Sequence, residues 1–241
     1  MKPSLLTSPI AWTRRKFRLM VGDMVGWMGY KPQKKIDFSN MQGGDFAHVI
    51  DVGVADGTPD LYARYPNAFL DLFEPHPVYQ AHLEGTVLKQ RPGRLHKMGL
   101  GSTEATSTLY LKGRTGSTLT GDRGQGSIDI PIRRLDAVLA PEQIRRPCLL
   151  KIDTEGYELE VLRGAEGIIP YVDCIVSELH FATPENSTAK MYRPKDLIAH
   201  LDKLGFEMSE MLDFHSGHGR VWCADFVFRR RADMPPKALN A

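Results

Sequence analysis

The sequence predicts an α/β fold: a mostly parallel, seven-stranded sheet with helices on both faces, ending in an antiparallel hairpin and preceded by a helical extension. Three observations carry this. From His48 onward, short apolar runs alternate with stretches of helical periodicity. The last two apolar runs have no helix between them, so they pair as a hairpin. Glycines and acids gather directly after several runs, at the carboxyl ends of the strands, where doubly wound sheets bind ligands. The 241 residues suit one such domain with additions. These are a basic helical extension over 1–45, the α/β domain over 46–231 and a flexible, Pro- and Ala-rich tail over 232–241.

Residues 48–52 form the first strand, an apolar run that meets a glycine turn at Asp51-Val52-Gly53. A helix over 58–66 starts at Thr58, with Pro59 at the first position, where the missing N–H is not needed. Residues 68–73 make the second strand, which ends at Glu74-Pro75, and 78–89 the next helix. Residues 94–98 are a short third strand. The stretch 99–126 is rich in Gly, Ser and Thr; 108–111 alternate within it as a strand, and 113–126 form a mobile loop. Residues 128–133 alternate again and 135–139 start a short helix. Residues 148–152 are another buried strand, followed by a helix over 155–169, in which Leu159, Leu162, Ala165, Ile168 and Ile169 recur at helical spacing. A strand over 173–178 and a helix over 194–204, closed by Gly205, follow. The hairpin is 206–214 and 221–228, joined by a Gly-rich turn at 216–219.

Composition narrows the function. The formal net charge is +2, which announces no nucleic-acid partner. Cys148, Cys174 and Cys223 lie far apart and form no CxxC pair, which argues against a structural zinc or a disulfide framework and fits a reducing, cytoplasmic setting. No run reaches the roughly 18 apolar residues a membrane span needs. Arg14, Arg15, Lys16 and Arg18 interrupt any secretory signal. Residues 1–35 are nonetheless strongly basic, with Asp23 their sole acid. This segment either rests on an anionic membrane surface or acidic polymer, or packs on the domain or on a second subunit in a homo-oligomer.

Three motifs fall at the carboxyl end of the sheet. The first, Asp51 to Gly57, reads D-x-G-x-x-x-G; it is not the dinucleotide fingerprint G-x-G-x-x-G. Gly53 and Gly57 allow close backbone approach. Asp51 or Asp56 beside the loop suits an ammonium or sulfonium better than a phosphate. The second is Glu74-Pro75, an acid about 20 residues beyond the glycine loop, the spacing that grips both ribose hydroxyls; alternatively Glu74 caps the next helix. The third is Lys151-Ile152-Asp153-Thr154-Glu155-Gly156, a buried strand ending in two acids and a glycine with a helix directly behind. Helix capping explains one of these acids, but not Lys151 inside the strand.

Together these segments resemble the FkbM family of S-adenosylmethionine-dependent methyltransferases. The family pattern K-I-D-x-E-G-x-E-x-x-V-L-x-G-A is met at Lys151, Ile152, Asp153, Glu155, Gly156, Glu158, Val161, Leu162, Gly164 and Ala165, and Glu178-Leu179-His180 is similar to its E-x-H strand end. The resemblance runs from about His48 to Phe181. It implies a Rossmann-like class I methyltransferase fold, S-adenosylmethionine as cofactor, and O-methylation of natural products, sugars or glycans. Asp56 stands where the family usually has a neutral amide, which alters the contacts to the amino-acid end of the cofactor. The first 45 residues match no pattern.

Within that reading Asp51, Gly53, Asp56, Gly57, Glu74, Pro75 and Asp153 hold the cofactor, and Lys151 and Glu155 the substrate. Methyl transfer to oxygen needs the acceptor held in line with the sulfonium and a proton acceptor in reach. His180, with its near-neutral pKa, is the first candidate base, and Glu178, on the same side of the strand, orients it or binds a hydroxyl. Asp153 or Glu155 is the base otherwise, or Glu178 and His180 only satisfy loop amides. No metal is assigned, since no ligand spacing demands one; Asp153, Glu178 and His180 are the set that would hold a divalent ion. His215 and His218 read as surface residues, and Ser117-Thr118 as part of a lid or of a loop excursion. Two rivals remain. One is an N-methyltransferase on RNA or protein, which would call for an aromatic clamp where this chain offers acids. The other is a non-catalytic cofactor-binding interaction module, which would not need the acids. An oxidoreductase is disfavoured by the missing dinucleotide fingerprint.

Overall fold

The structure is a computed structural model and describes residues 36–39, 41–111, 119, 126–181, 192–217 and 220–237. The readings for residues 1–35, for Ser117-Thr118 and for His218 lie outside these.

The chain begins its sheet with β1 (His48–Val52), buried at all five positions, as a strand flanked on both sides must be. α1 (Pro59–Arg64) follows, then β2 (Phe69–Phe73). α2 (Pro77–His82) runs through a π-helical turn at Leu83–Val87 into a last turn at Leu88–Gln90, and β3 is Gly93–His96. β7 (Cys148–Ile152), α4 (Glu158–Arg163), β8 (Cys174–His180), α5 (Pro194–Lys203), β9 (Phe206–Gly217) and β10 (Arg220–Arg230) complete the main sheet, with α3 (Leu135–Val138) ahead of β7. Its order is β3-β2-β1-β7-β8-β10-β9. β1, β2, β3, β7 and β8 are mutually parallel, while β10 runs antiparallel to β8 and to β9. The expected seven-stranded sheet with its terminal hairpin is present. The segment between β3 and α3 adds a second sheet that the sequence reading left unplaced: β4 (Gly99–Leu100), β5 (Ala105–Tyr110) and β6 (Ser127–Arg133), in the order β4-β6-β5.

Alternation in the strands divides the interior into two layers. Ile50, Val52, Leu150, Ile152, Ile175, Leu179 and Phe228 face one side and pack with Val161, Leu162, Leu197 and Leu201. Val49, Leu70, Leu72, Leu149, Val176 and Val227 face the other and pack with Leu61, Tyr62 and Tyr65. Phe38 and Met41, placed by the sequence reading in the extension, are buried in this second layer. In α5 the burial of Leu197 and Leu201 is worth about 2 kcal/mol each.

The predicted helix over 155–169 forms only over Glu158–Arg163. Glu155 (φ 55°) and Gly156 (φ 100°) are left-handed and hold the chain out of helix at its start. At its end Gly164 lies so close to Gly101 that a Cβ would sit 1.9 Å from the Gly101 carbonyl oxygen. Beyond α4, Ile168 and Ile169 reach the core through turns. β8 is longer than expected, so His180 is its last residue instead of lying past it.

A buried polar cluster ties β1, β2 and β3 together. Asp71, fully buried, receives Arg94 at 2.8 and 2.7 Å, His48 Nε2 at 2.9 Å and His96 Nε2 at 2.8 Å. Burial pushes this carboxyl up, but the hydrogen bonds from His48, His96 and Arg94 outweigh it and hold the group well below the usual carboxylate range. Among the described residues no helix is long and apolar enough to cross a membrane.

Candidate active site

The face of the sheet that carries Val49 and Val176 turns polar at its carboxyl end. Successive same-face positions lie two apart. They place Asp51 on β1, Lys151 and Asp153 on and just after β7, Glu178 and His180 on β8, Cys223 and Asp225 on β10, and Asp213 and His215 on β9. The register lines them up: Asp51 pairs with Lys151, Glu178 with Asp225, Asp225 with Asp213, His180 with Cys223, and Cys223 with His215.

At the β1 end the polar groups are matched. Lys151, 3% exposed, places its Nζ 3.2 Å from Asp51 Oδ1 and 3.4 Å from Asp153 Oδ2. Burial presses its ammonium toward deprotonation, but Asp51, Asp153 and Asp225 outweigh this, so the charge is held firmly. Asp51 Oδ2 also accepts from Tyr62 Oη at 2.7 Å and Thr58 Oγ1 at 2.8 Å. Asp51 and Lys151 therefore lie beneath the loop and brace it.

The glycine loop is shaped by three left-handed residues, Gly53 (φ 77°), Ala55 (φ 50°) and Gly57 (φ 111°). A side chain on Gly53 would place its Cβ 1.8 Å from the Asp153 carbonyl oxygen, so this glycine admits the β7 loop. Glu74, 5% exposed, accepts the Ala55 N–H and the His76 N–H, both at 2.7 Å, and so joins the glycine loop to the end of β2. Burial raises its pKa despite these two bonds. Pro75 is partly exposed behind it and its carbonyl accepts from Gln80, while Asp56 is exposed at the loop tip.

The loop after β7 is organised by Glu158. Fully buried, it accepts the Thr154 and Gly156 N–H groups at 2.9 and 3.0 Å and the Thr154 hydroxyl at 3.2 Å, all on Oε1. This fixes Glu155 in its left-handed conformation and turns it toward β8. Glu155, Glu178 and His180 then offer ligand atoms within 4.8 Å of one another; so do Glu178, His215 and Cys223. Asp153 is not in either set, so the trio read from sequence is replaced by one containing Glu155.

Here the charges are unbalanced. Asp153 is pushed up to about 6 by burial, against Lys151 and helped by Glu178 and Glu158. Glu155 is pushed up to about 8 by burial and by Glu178 and Asp153. Asp225, 3% exposed, is pushed up to about 8 by burial and by Asp153 and Glu178. His180 lies 2.8 Å from Glu178 through Nε2. Burial lowers its pKa, but the Glu178 carboxylate outweighs burial and lifts it to about 9. As it stands His180 is an imidazolium at neutral pH. This corrects the expectation of a near-neutral base.

Sequence reasoning missed Asp225, Asp213 and Cys223, and placed His215 on the surface, whereas it is half-buried opposite Cys223. Their signal was the alternation Cys223-Ala224-Asp225 inside an apolar strand. Its meaning depends on which strand lies alongside.

This face can bind a cationic ligand and accept hydrogen bonds from hydroxyl groups. S-adenosylmethionine, with a sulfonium, an ammonium and a ribose diol, fits these residues: a buried carboxylate stands at the end of β2 and acids crowd beside β7. A family model described as the methyltransferase FkbM domain matches residues 51–208. The chain is 28% identical over 176 residues to a protein named Methyltransferase 1 from Beauveria bassiana, covering 61% of this chain and 70% of that one. It is 28% identical over 80 residues to the hexuronic acid methyltransferase AglP from Haloferax volcanii, covering 33% and 34%. Among solved structures, the magnesium protoporphyrin IX methyltransferase ChlM from Synechocystis PCC 6803 with bound S-adenosylmethionine aligns at a TM-score of 0.44 and 9% identity, over 95% of this chain and 87% of that one.

Proposed function

The chain belongs to the FkbM family of S-adenosylmethionine-dependent methyltransferases, and we propose that it methylates a hydroxyl oxygen of a sugar or another polyhydroxylated small molecule. The observation that carries this reading is the row Asp153, Glu178 and Asp225 with Glu155 beside it. Carboxylates accept hydrogen bonds from hydroxyls, two to an oxygen, and several on one face hold neighbouring hydroxyls at once. The partial likeness to a hexuronic acid methyltransferase supports the same class of acceptor.

Held between the glycine loop and the end of β2, S-adenosylmethionine would supply an electrophilic methyl group to the acceptor oxygen, with S-adenosylhomocysteine as the leaving group. Glu74 takes the ribose hydroxyls while it holds Ala55 in place. Asp51 and Lys151 keep the glycine loop and the β7 loop at fixed separation. Asp153, 28% exposed at the end of β7, receives the hydroxyl proton. His180, beside Glu178, donates a ring N–H to an acceptor oxygen.

Calorimetry with S-adenosylmethionine on the wild type and on Glu74→Ala tests the cofactor site. Loss of a charged hydrogen-bonding pair predicts about 10- to 100-fold weaker binding. The acceptor class is tested by transfer of labelled methyl to a panel of hexoses and hexuronic acids, the product located by NMR. Methyl found on oxygen supports the reading; methyl found solely on nitrogen of added RNA or protein overturns it.

A further inference from the structure

We propose that Glu155, Glu178 and His180 form a binding site for a divalent cation of the Mn2+ or Mg2+ class, which holds an acceptor oxygen beside the methyl donor. This rests on the methyltransferase reading for its purpose, but not for its geometry.

The three side chains come from two elements that the fold fixes independently. Glu178 and His180 share one face of β8, and Glu155 is held in its left-handed turn by Glu158. Their ligand atoms lie within 4.8 Å of one another, close enough to share one ion, since hard cations take oxygen at about 2.0–2.6 Å and imidazole at similar range. His180 Nε2 stands 2.8 Å from Glu178 Oε2, yet its N–H is not aligned with that oxygen as donor to acceptor. Neighbouring ligands on one ion adopt such a separation without bonding to each other.

A second, independent sign is Glu158. It is fully buried, its Oε1 takes three hydrogen bonds, and its carboxylate also meets the Tyr192 hydroxyl. Its charge acts on both Glu155 and His180. Three carboxylates, Glu155, Glu158 and Glu178, thus crowd one imidazole, an excess of negative charge that a divalent cation would answer. Lys151, the ammonium of this face, is already engaged by Asp51 and Asp153 on the β1 side. Two carboxylates and one imidazole, with no thiolate, suit a hard or borderline ion. The cation would take two neighbouring oxygens of the acceptor, which selects diols and hydroxy acids over lone alcohols.

The test is Mn2+ titration of the chelator-treated full chain, with free Mn2+ read by electron paramagnetic resonance. Wild type, His180→Ala, Glu155→Gln and Cys223→Ala are compared. Circular dichroism checks folding, and calorimetry with S-adenosylmethionine is run on each. One Mn2+ per chain is expected, with affinity at least about tenfold weaker in His180→Ala and in Glu155→Gln and unchanged in Cys223→Ala. If one of the first two variants does not fold, the other decides. A wild type that binds S-adenosylmethionine but no Mn2+ overturns the proposal. So does Mn2+ binding that ignores both variants, or that is lost in Cys223→Ala, which would move the ion to Glu178, His215 and Cys223. Mn2+ binding with the expected pattern in a chain that does not bind S-adenosylmethionine would keep the cation site and remove the methyltransferase reading.

Discussion

Asp71 and Asp225 are the same residue type, both in strands of one sheet and both nearly or fully buried, and they titrate in opposite directions. Asp71, on β2, meets His48, Arg94 and His96, and stays ionised far into acid. Asp225, on β10, meets Asp153, Glu178 and Asp213, with Lys151 as counterweight, and is pushed up to about 8. Burial opposes the charge in both, so partners decide the sign. The β1–β2–β3 half satisfies its own charges and is a scaffold. The β8–β10–β9 half gathers acids, Glu178, Asp213 and Asp225, on one polar face, and such raised carboxyls cluster where function lies.

Removing either aspartate should break the symmetry of this comparison. Asp71→Asn leaves His48 and Arg94 facing a neutral amide, and about 3–5 kcal/mol of stability should be lost in urea denaturation. A loss under about 1 kcal/mol would mean the cluster is ornamental. Asp225→Asn removes a strained charge and should gain about 2 kcal/mol at pH 8, or roughly 4–8 °C in Tm, with chelator present.

The pH profile sharpens the same point, because the two groups act in opposite windows. Asp71 is held below its unfolded value, so its contribution is present above about pH 4 and is lost as pH falls below that. Asp225 is held above its unfolded value, so the folded chain keeps a proton the unfolded chain gives up. Stability falls as pH rises from about 4 to about 8. Thermal melts across that range should therefore slope downward in the wild type and less steeply in Asp225→Asn, where Asp153 and Glu155 keep part of the slope. The smallest effect is the control: Lys97→Ala breaks an ion pair to Glu84 in which both side chains are half exposed, and should change stability by under about 0.5 kcal/mol.

The scaffold half was the more legible in sequence. Buried parallel strands announce themselves as apolar runs, so β1, β2, β7 and β8 were placed to within about two residues. Glu74, Asp153, Glu155, Glu178 and His180 could be named because each sits at a strand end, where local sequence fixes position. The remaining site residues could not. Asp213, His215, Cys223 and Asp225 reach the site through antiparallel pairing across β10, and register between distant segments is not written in either one alone. The length of α4 was misjudged because Ile168 and Ile169 keep helical spacing while reaching the core through turns. The raised pKa of His180 was not legible because it belongs to Glu178 as much as to itself.

Gly53 sits 1.8 Å, at the position of an absent Cβ, from the Asp153 carbonyl. Every other amino acid carries that carbon, so this junction is closed to substitution from either random mutation or design. The hairpin of β9 and β10 carries no such lock at Asp213, His215, Cys223 or Asp225. Variation in acceptor choice, natural or engineered, should therefore collect on the hairpin, while the seam between the first and central strands passes unaltered from one variant to the next.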